Sequence, residues 1–370
     1  MNYGTASEKV IKMIGETSRL ERSIKRYNIQ DFEKLYNFIS AKYVENTVSG
    51  LKAFLLVSKY DILEWNEIRR KKTKIDISTS KRGNDLYLIT LHRIDREIQC
   101  VFMATKVDNN VFVLLTDEKV SESISPTLNV FLNSLYPDIY RIYLKNRDID
   151  FIVNELERLY NEVFIAEIKA ENDKGLSHFS KKQANQNYLD RDKVKSNLKG
   201  KAIKLIKLSC RDEENRLMLT TTIKRDGSST LHYGELRFFK SDIIDKMALL
   251  LGSNNEEFTG RERKFNENLN QIVIKPIFFR YEKKFDGRQI DLVRKILKEC
   301  HLSSEISLSS NPYFSATILD NRDFSTFDLS IVDNVIALVP RASVSSSSLS
   351  KFCDLILTKL GEPERIDIRE

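Results

Sequence analysis

Asn110-Val111-Phe112-Val113-Leu114-Leu115 and, 224 positions on, Asn334-Val335-Ile336-Ala337-Leu338-Val339 open two stretches that align without a gap through Ile142 and Ile366. Both continue through Val-Ser (Val120-Ser121, Val344-Ser345) into a segment of helical apolar spacing, and both close on Arg-Ile (Arg141-Ile142, Arg365-Ile366). Eight of the 33 paired positions are identical, which points to an internal repeat of strand, serine-bearing turn, helix and short strand. A repeat constrains the architecture even where no catalytic signature does.

Working outward, strands fit residues 74–77, 86–92, 98–105 and 111–116, divided by turn-forming Arg82-Gly83-Asn84-Asp85 and Asp108-Asn109-Asn110. A helix over 123–136, a strand over 139–144 and a helix over 149–160 follow. Strands fit 202–209, 217–224 and 230–239, then a helix over 241–251 with Gly252 as its stop. The last part reads as a strand over 272–281, a helix over 289–301, several strands between 306 and 339, a helix over 349–360 and a strand over 365–368. Ile149-Asp150-Phe151-Ile152-Val153 resembles Ile290-Asp291-Leu292-Val293-Arg294, the helix that follows the first strand of a unit. The recurring unit is therefore strand, helix, antiparallel meander, second helix. A meander with one apolar face needs helices on that face and leaves the other open, so the expected class is α+β in two-layer plates.

The expected divisions are a helical N-terminal segment (1–70) and three α+β units, over 71–145, 146–255 and 271–370. Val10, Ile11 and Ile14 give one amphipathic helix; Phe32, Leu35, Tyr36 and Ile39, capped by Asp31, give a second. Leu51, Phe54 and Leu55, with Trp65 further on, suggest a third. Residues 171–199 and 253–270 lack apolar periodicity and read as long loops. The serines at 345–348 read as a turn that caps the last helix.

An apolar fraction of 41% with 31% charged residues suits a globular chain. The longest apolar runs are about five residues against the ~20 that a membrane helix needs, so no membrane partner is expected. No basic stretch followed by an apolar one opens the chain, and Cys100, Cys210, Cys300 and Cys353 are dispersed. A cytoplasmic protein with reduced thiols is the expectation. The net charge of +7 permits a polyanionic partner. Candidate phosphate contacts are Arg69, Arg70, Lys71, Lys72, Lys74, Lys81 and Arg82, and a second group of Arg280, Lys283, Lys284 and Arg288. The N-terminal segment 1–70 could serve a protein partner or a homodimer.

One constellation has catalytic spacing. Pro137-Asp138 precedes Glu167-Ile168-Lys169, which closes an apolar strand. In restriction-like nucleases two such carboxylates hold a divalent metal at the scissile phosphate and the lysine assists the attacking water. Strand alternation places Glu167 and Lys169 on one face. No cofactor is expected, except Mg²⁺ if Asp138 and Glu167 converge. His92, His178, His232 and His301 have no zinc-site spacing, and no glycine-rich phosphate loop or Gly-x-Ser-x-Gly elbow occurs.

The order of elements resembles the TATA-binding-protein-like (helix-grip) fold, in which a strand and helix lead into four meandering strands and a long helix, and two copies form a saddle. The middle unit carries the best local match: Thr222-Ile223-Lys224-Arg225-Asp226-Gly227 through Tyr233-Gly234, directly before a helix. Gly227 corresponds to the family's turn glycine and Gly234 lies near the second. The other two units use Asn109-Asn110 and Asp333-Asn334 at the turn. Phe238-Phe239 and Phe278-Phe279 are similar to the family's base-intercalating wedges. The N-terminal modules of RNase LS-type toxins also look like this. Their nuclease activity belongs to a separate domain with an Arg-x4-His motif, which this chain lacks. The resemblance implies a scaffold for recognition, so the expected function is non-enzymatic nucleic-acid binding, in a defence or toxin-related system. A protein-interaction module of a larger assembly and a metal-dependent nuclease are the alternatives.

Overall fold

The computed structural model describes residues 28–31, 33–35, 37–38, 50–68, 74–83, 85–108, 110–172, 175–180, 198, 200–266, 271–299, 301–310 and 313–368. The first elements are β1 (Leu51–Ser58), a 3-10 turn (Ile62–Asn66), β2 (Ile75–Lys81), β3 (Tyr87–Arg93), β4 (Ile98–Asp108) and β5 (Val111–Thr116). A π-helical turn (Val120–Ile124) runs into α1 (Ser125–Leu135), followed by β6 (Ile139–Tyr140). The middle elements are α2 (Asn146–Leu159), β7 (Glu162–Asn172), β8 (Gly175–Ser180), β9 (Ala202–Arg211), β10 (Leu217–Lys224) and β11 (Ser228–Gly234). Two helical turns (Leu236–Phe238, Phe239–Ile244) then lead into α3 (Asp245–Phe258). After the hairpin β12 (Lys264–Asn266) and β13 (Gln271–Val273) come β14 (Ile277–Arg280), α4 (Gly287–Ile296), β15 (Leu302–Ser310) and β16 (Tyr313–Asp320). The described chain closes with β17 (Ser325–Val332), β18 (Val335–Pro340), α5 (Ser346–Leu360) and β19 (Arg365–Ile368).

The two aligned stretches fold alike. β5 and β18 cover aligned residues, each is the last strand of a four-strand meander, and each leads into a helix and a short closing strand. The last sheet has the order β15-β16-β17-β18-β14-β19; the first unit repeats it as β2-β3-β4-β5-β1, with β6 on β1. In the first unit the helix after the opening strand is only the 3-10 turn, whereas the third has α4. The middle unit runs α2, β7, β9, β10, β11, α3, with β8 added on the outer edge of β7.

Several expectations are corrected. Leu51, Phe54 and Leu55 lie in a strand, not a third helix: seven of the eight residues of β1 are buried, and a strand can bury both faces between two layers. Asp31 does cap a helical turn, its Oδ1 accepting from Lys34 N at 2.7 Å, and residues 33–35 and 37–38 are helical. The rest of the N-terminal reading (1–27, 32, 36, 39–49) lies outside the described residues. The loop expected over 171–199 begins as the β7–β8 hairpin, and residues 253–258 extend α3 instead of forming a loop. The strand expected to reach Phe239 stops at Gly234, where φ is +112°.

The expected two-layer plate holds, among the described residues, for the middle unit, where α2 and α3 lie on one face, and for the third. There Val293 of α4 and Phe352 and Ile356 of α5 pack on Phe279, Phe327 and Leu338. In the first unit both sheet faces are covered. Leu128, Phe131 and Leu135 of α1, with Trp65, cover Phe54, Phe102, Phe112 and Leu114. On the opposite face Met247, Ala248 and Leu251 of α3 lie in one core with Leu55, Met103 and Val113. The cause is the pairing of β1, which is antiparallel to β5 at one edge and to β11 at the other. β5 and β11 therefore run in the same direction while their meanders spread outward on opposite sides. Two units of the same hand so arranged are related by a rotation about the strand direction, which sends their helices to opposite faces.

The third unit docks on the others through buried polar groups. Arg225, 5% exposed in the β10–β11 turn, donates to Asp354 of α5 and to Glu362, both at 2.8 Å, and its guanidinium lies 5.0 Å from the Tyr143 ring centre. The two carboxylates raise its pKa above the ordinary arginine value despite the cost of burial. Tyr136 Oη and Ser348 Oγ share a hydrogen bond of 2.7 Å across the same joint. Removing the cation leaves two carboxylates without their partner, so Arg225→Ala is expected to destabilise the protein by about 3–5 kcal/mol, read from the urea midpoint. A Cβ at Gly234 would stand 2.4 Å from Met218 O in addition to its left-handed φ. Gly234→Ala should cost at least about 1–3 kcal/mol, whereas Gly287→Ala, with open space at the first position of α4, should be neutral or slightly stabilising.

Candidate nucleic-acid interface

α2, α3 and the turns before α3 all cover one face of the middle unit, and among the described residues no helix lies on the other. Alternation decides what stands there. In β9, Ile206, Leu208 and Cys210 point into the core, which turns Leu205, Lys207, Ser209 and Arg211 outward. In β10 the outward set is Thr220, Thr222 and Lys224. Register aligns Thr222 with Lys207 and Lys207 with Glu167, so one row crosses β10, β9 and β7. Lys169 shares the face with Glu167 and pairs with His178 of β8. At the other side Lys52 of β1 is opposite Thr230 of β11.

The polar contacts within this surface are specific. Glu167 Oε1 accepts from Lys169 Nζ at 3.1 Å and meets His178 Nε2 at 2.9 Å. Thr222 Oγ1 and His232 Nε2 are 2.8 Å apart, and Lys52 Nζ donates to Gly50 O at 2.9 Å. The Arg211 guanidinium sits 5.3 Å from the Phe164 ring centre, and Tyr233 is 52% exposed at the end of β11. Lys52, Lys169, Lys207, Arg211 and Lys224 thus stand against the carboxylates of Glu162 and Glu167, with Asp117 and Glu118 beside Lys52, which leaves a small excess of cations. His232 registers that field: burial is the main cause that lowers its pKa, Lys207 and Lys52 lower it further, and Glu167 opposes them. Burial also lowers the pKa of Lys52, against the pull of Asp117 and Glu118.

The residues singled out from the sequence do not form one surface. Arg69, Arg70, Lys71 and Lys72 lie outside the described residues. Lys74, Lys81 and Arg82 flank or end β2, the far edge of the larger sheet, and Lys74 pairs with Asp95 at 3.6 Å. Arg280 ends β14 in the smaller sheet; Lys283 and Lys284 follow it, Lys284 pairing with Asp333 at 3.2 Å, and Arg288 is in the first turn of α4. β2 is four strand steps from β1, ~19 Å at the usual spacing, so Lys74, Lys81 and Arg82 do not join the open face. Phe239 and Phe279 are buried in separate cores and Phe238 and Phe278 are half-buried, so neither phenylalanine pair stands free as a wedge.

The nuclease constellation is divided as well. Glu167 and Lys169 are together, but the Asp138 carbonyl accepts from Lys59 N just beyond β1, and its carboxylate lies 3.4 Å from Lys59 Nζ. Four strand steps, again ~19 Å, separate β1 from β7, so Asp138 and Glu167 cannot share a metal ion. Among the described residues no group of three or more His, Cys, Asp or Glu converges as metal ligands. Sequence reading missed Lys52, Lys207, Arg211, Lys224 and His232. The available signal was the alternate spacing of Lys207, Ser209 and Arg211 in a strand whose partner positions are apolar.

The fold and surface together define an α+β protein of repeated units with a sheet face that no described helix covers and on which cations outnumber carboxylates. No protein-family model matches the chain, and a search of curated proteins finds none similar in sequence.

His232 is expected to titrate below the ordinary histidine value of 6.5, and His301, also lowered chiefly by burial, should do the same. The native state then holds fewer protons than the unfolded chain in this range. This contribution to stability is complete above pH 6.5 and is lost as the pH falls toward the lower native values. NMR titration of the imidazole protons checks the direction. An anion seated beside Lys207 and Lys52 should shift the His232 titration upward.

Proposed function

We propose that the protein binds nucleic acid on the open face of its middle unit and performs no chemistry on it. The observation that carries this reading is the gathering of five cationic side chains, from β1, β10, β9 and β7, on a sheet face that no described helix covers. Lysine and arginine there would contact phosphates, while Phe164 under Arg211 and the exposed Tyr233 offer ring faces for bases. The strand, helix, meander, helix order of the repeat supports the TATA-binding-protein-like reading. The helices on opposite faces differ from a saddle with one shared open side, so recognition would rest on one unit. The separation of Asp138 from Glu167 favours binding over metal-assisted cleavage. Cys100, Cys210 and Cys353 are buried and unpaired, which fits a cytoplasmic setting. A role in defence or toxin regulation follows from the resemblance.

The second reading, a protein-interaction module, has its own observation. β15 is an edge strand exposed along nearly its whole length, with Ile306 and Leu308 open to solvent. Such an edge can accept a partner strand, although the bulge between Ile306 and Leu308 blunts it.

Fluorescence anisotropy with labelled single-stranded RNA, single-stranded DNA and duplex DNA, over a salt series and with Mg²⁺ present, tests the proposal. Binding at about micromolar affinity or tighter, with a steep salt slope, is expected. Lys207→Glu should weaken it about tenfold or more and lower the slope by about one, while Lys284→Glu should leave both unchanged. A larger loss from Lys284→Glu would move the interface to the third unit. Absence of binding at low salt would leave the protein-interaction reading, and a cleaved probe would overturn the statement that no chemistry occurs.

A further inference from the structure

The third unit has a sheet face whose counterpart in the first unit is covered. The gapless alignment sets Val335, Ala337 and Val339 of β18 on Val111, Val113 and Leu115 of β5. In the first unit those three residues belong to the core that Met247, Ala248 and Leu251 of α3 close. Pairing extends the match to the opening strands, since Leu55 is opposite Val113 and Phe278 is opposite Ala337. Phe278, Val335, Ala337 and Val339 thus form an apolar strip on β14 and β18, and Val332, 50% exposed, adjoins it opposite Val335. None of the five belongs to an apolar core, and among the described residues no helix lies on the strip. α5 is turned toward Arg225 and Tyr136, so the strip points away from the other two units. Asp328 stands opposite Val339 as Met103 stands opposite Leu115, and it is already paired with Arg341 at 2.8 Å, so it does not oppose an apolar cover.

The chain carries a second version of the segment that covers the first unit. Glu8-Lys9-Val10-Ile11-Lys12-Met13-Ile14-Gly15, outside the described residues, aligns without a gap with Asp245-Lys246-Met247-Ala248-Leu249-Leu250-Leu251-Gly252 of α3. Lys9 and Gly15 are identical to Lys246 and Gly252, and Val10, Ile11 and Ile14 take the places of Met247, Ala248 and Leu251. The one apolar residue of α3 exchanged for a charge is Leu249, replaced by Lys12, and Leu249 is 61% exposed. The exchanges therefore keep the buried stripe of α3 and alter its solvent side. The shared glycine has a physical reason as well. A Cβ at Gly252 would stand 2.8 Å from Asp108 Oδ2, where α3 passes the end of β4.

We propose that the segment around residues 8–15 folds as a helix onto the strip of Phe278, Val335, Ala337 and Val339 of its own chain, in the way that α3 lies on the first unit. The length of chain permits it. One row of paired residues runs through Tyr87, Ala104, Leu114, Phe54 and Ser228. The β2–β3 turn and the β10–β11 turn that holds the third unit are therefore at the same end of the larger sheet, four strand steps or ~19 Å apart. Gln30 lies against Gly83 in the first of these turns. The twelve residues from Glu16 to Tyr27 span up to ~40 Å when extended, more than that distance and the ~10 Å of a helix layer together. The inference is independent of the nucleic-acid reading, because no residue of the strip belongs to the middle unit.

Photo-crosslinking on the full chain tests this, with p-benzoylphenylalanine in place of Val332 in one variant and of Ala337 in another. Val332 is exposed, so the first variant places no new bulk in a core. A mixture of isotopically heavy and light chains is irradiated, and the cross-linked peptides are identified by mass spectrometry. A cross-link to residues 8–20 within one chain is expected from at least one position. Ile14→Asp should lower its yield about fivefold or more, through loss of a buried aliphatic contact. Lys12→Glu, on the solvent side, should leave the yield unchanged. The proposal is overturned if neither position cross-links to residues 8–20, if the cross-link joins a heavy to a light chain, or if Ile14→Asp cross-links as well as the unaltered segment.

Discussion

Strand β1 is hydrogen-bonded along both edges, to β5 on one side and to β11 and β6 on the other, and the arrangement of the first two units follows from that. Its sequence, Leu-Lys-Ala-Phe-Leu-Leu-Val-Ser, is apolar in both directions of the strand alternation. Leu55 and Val57 require cover on one face, Phe54 and Leu56 on the other. α3 and α1 supply the two covers, and they can do so because the strands that precede them run the same way on either side of β1. A polar residue at Leu55 or Leu56 would remove the reason for one of the layers.

That arrangement also decides where the surface chemistry stands. α1 reaches over the first unit and stops there, while every described helix of the middle unit lies on the opposite side. The outward residues of β7, β9, β10 and β11 are mostly polar, with threonine, serine, lysine, arginine, histidine and glutamate beside Phe164, Leu205 and Tyr233. That mixture fits a face on which no described helix packs. Lys52 continues the face onto β1 itself, at the one position of that strand that is not buried. The lowered pKa of His232 comes first from burial and then from Lys207 and Lys52, which share this face.

The third unit repeats the first in topology but has one sheet face without a described helix, since no second unit adds a strand beside β14; β19 occupies that edge. Its attachment is polar as well as apolar. Arg225 and Tyr136 reach Asp354 and Ser348, so the β10–β11 turn and the end of α1 hold the unit by directional contacts. Directional contacts fix orientation more narrowly than apolar packing does, and they leave irregular space between them. The cleft between α1 and α5, lined by Tyr136, Arg141 and Lys351, is such a space.

Much of this was legible in the chain itself. The gapless match of residues 110–142 with 334–366 determined the meander-helix-strand repeat, because a strand of period two followed by a helix of period 3.6 leaves a pattern within each element. Gly227 marked a turn, since a left-handed φ excludes most side chains, whereas Gly234 ends a strand that the sequence pattern extends to Phe239. Asp31 marked its helical turn through the free N–H groups of a helix start. What the sequence could not determine was which edges meet. Leu51 to Ser58 is a short apolar run whose helical and strand readings differ only in the partners available to it, and those partners are 54 to 180 residues away in β5 and β11. The open face is assembled from single residues on six strands, so no contiguous motif announces it. The separation of Asp138 from Glu167, close in sequence but four strands apart in the sheet, has the same cause: proximity between strands is set by pairing, which is a property of the tertiary structure.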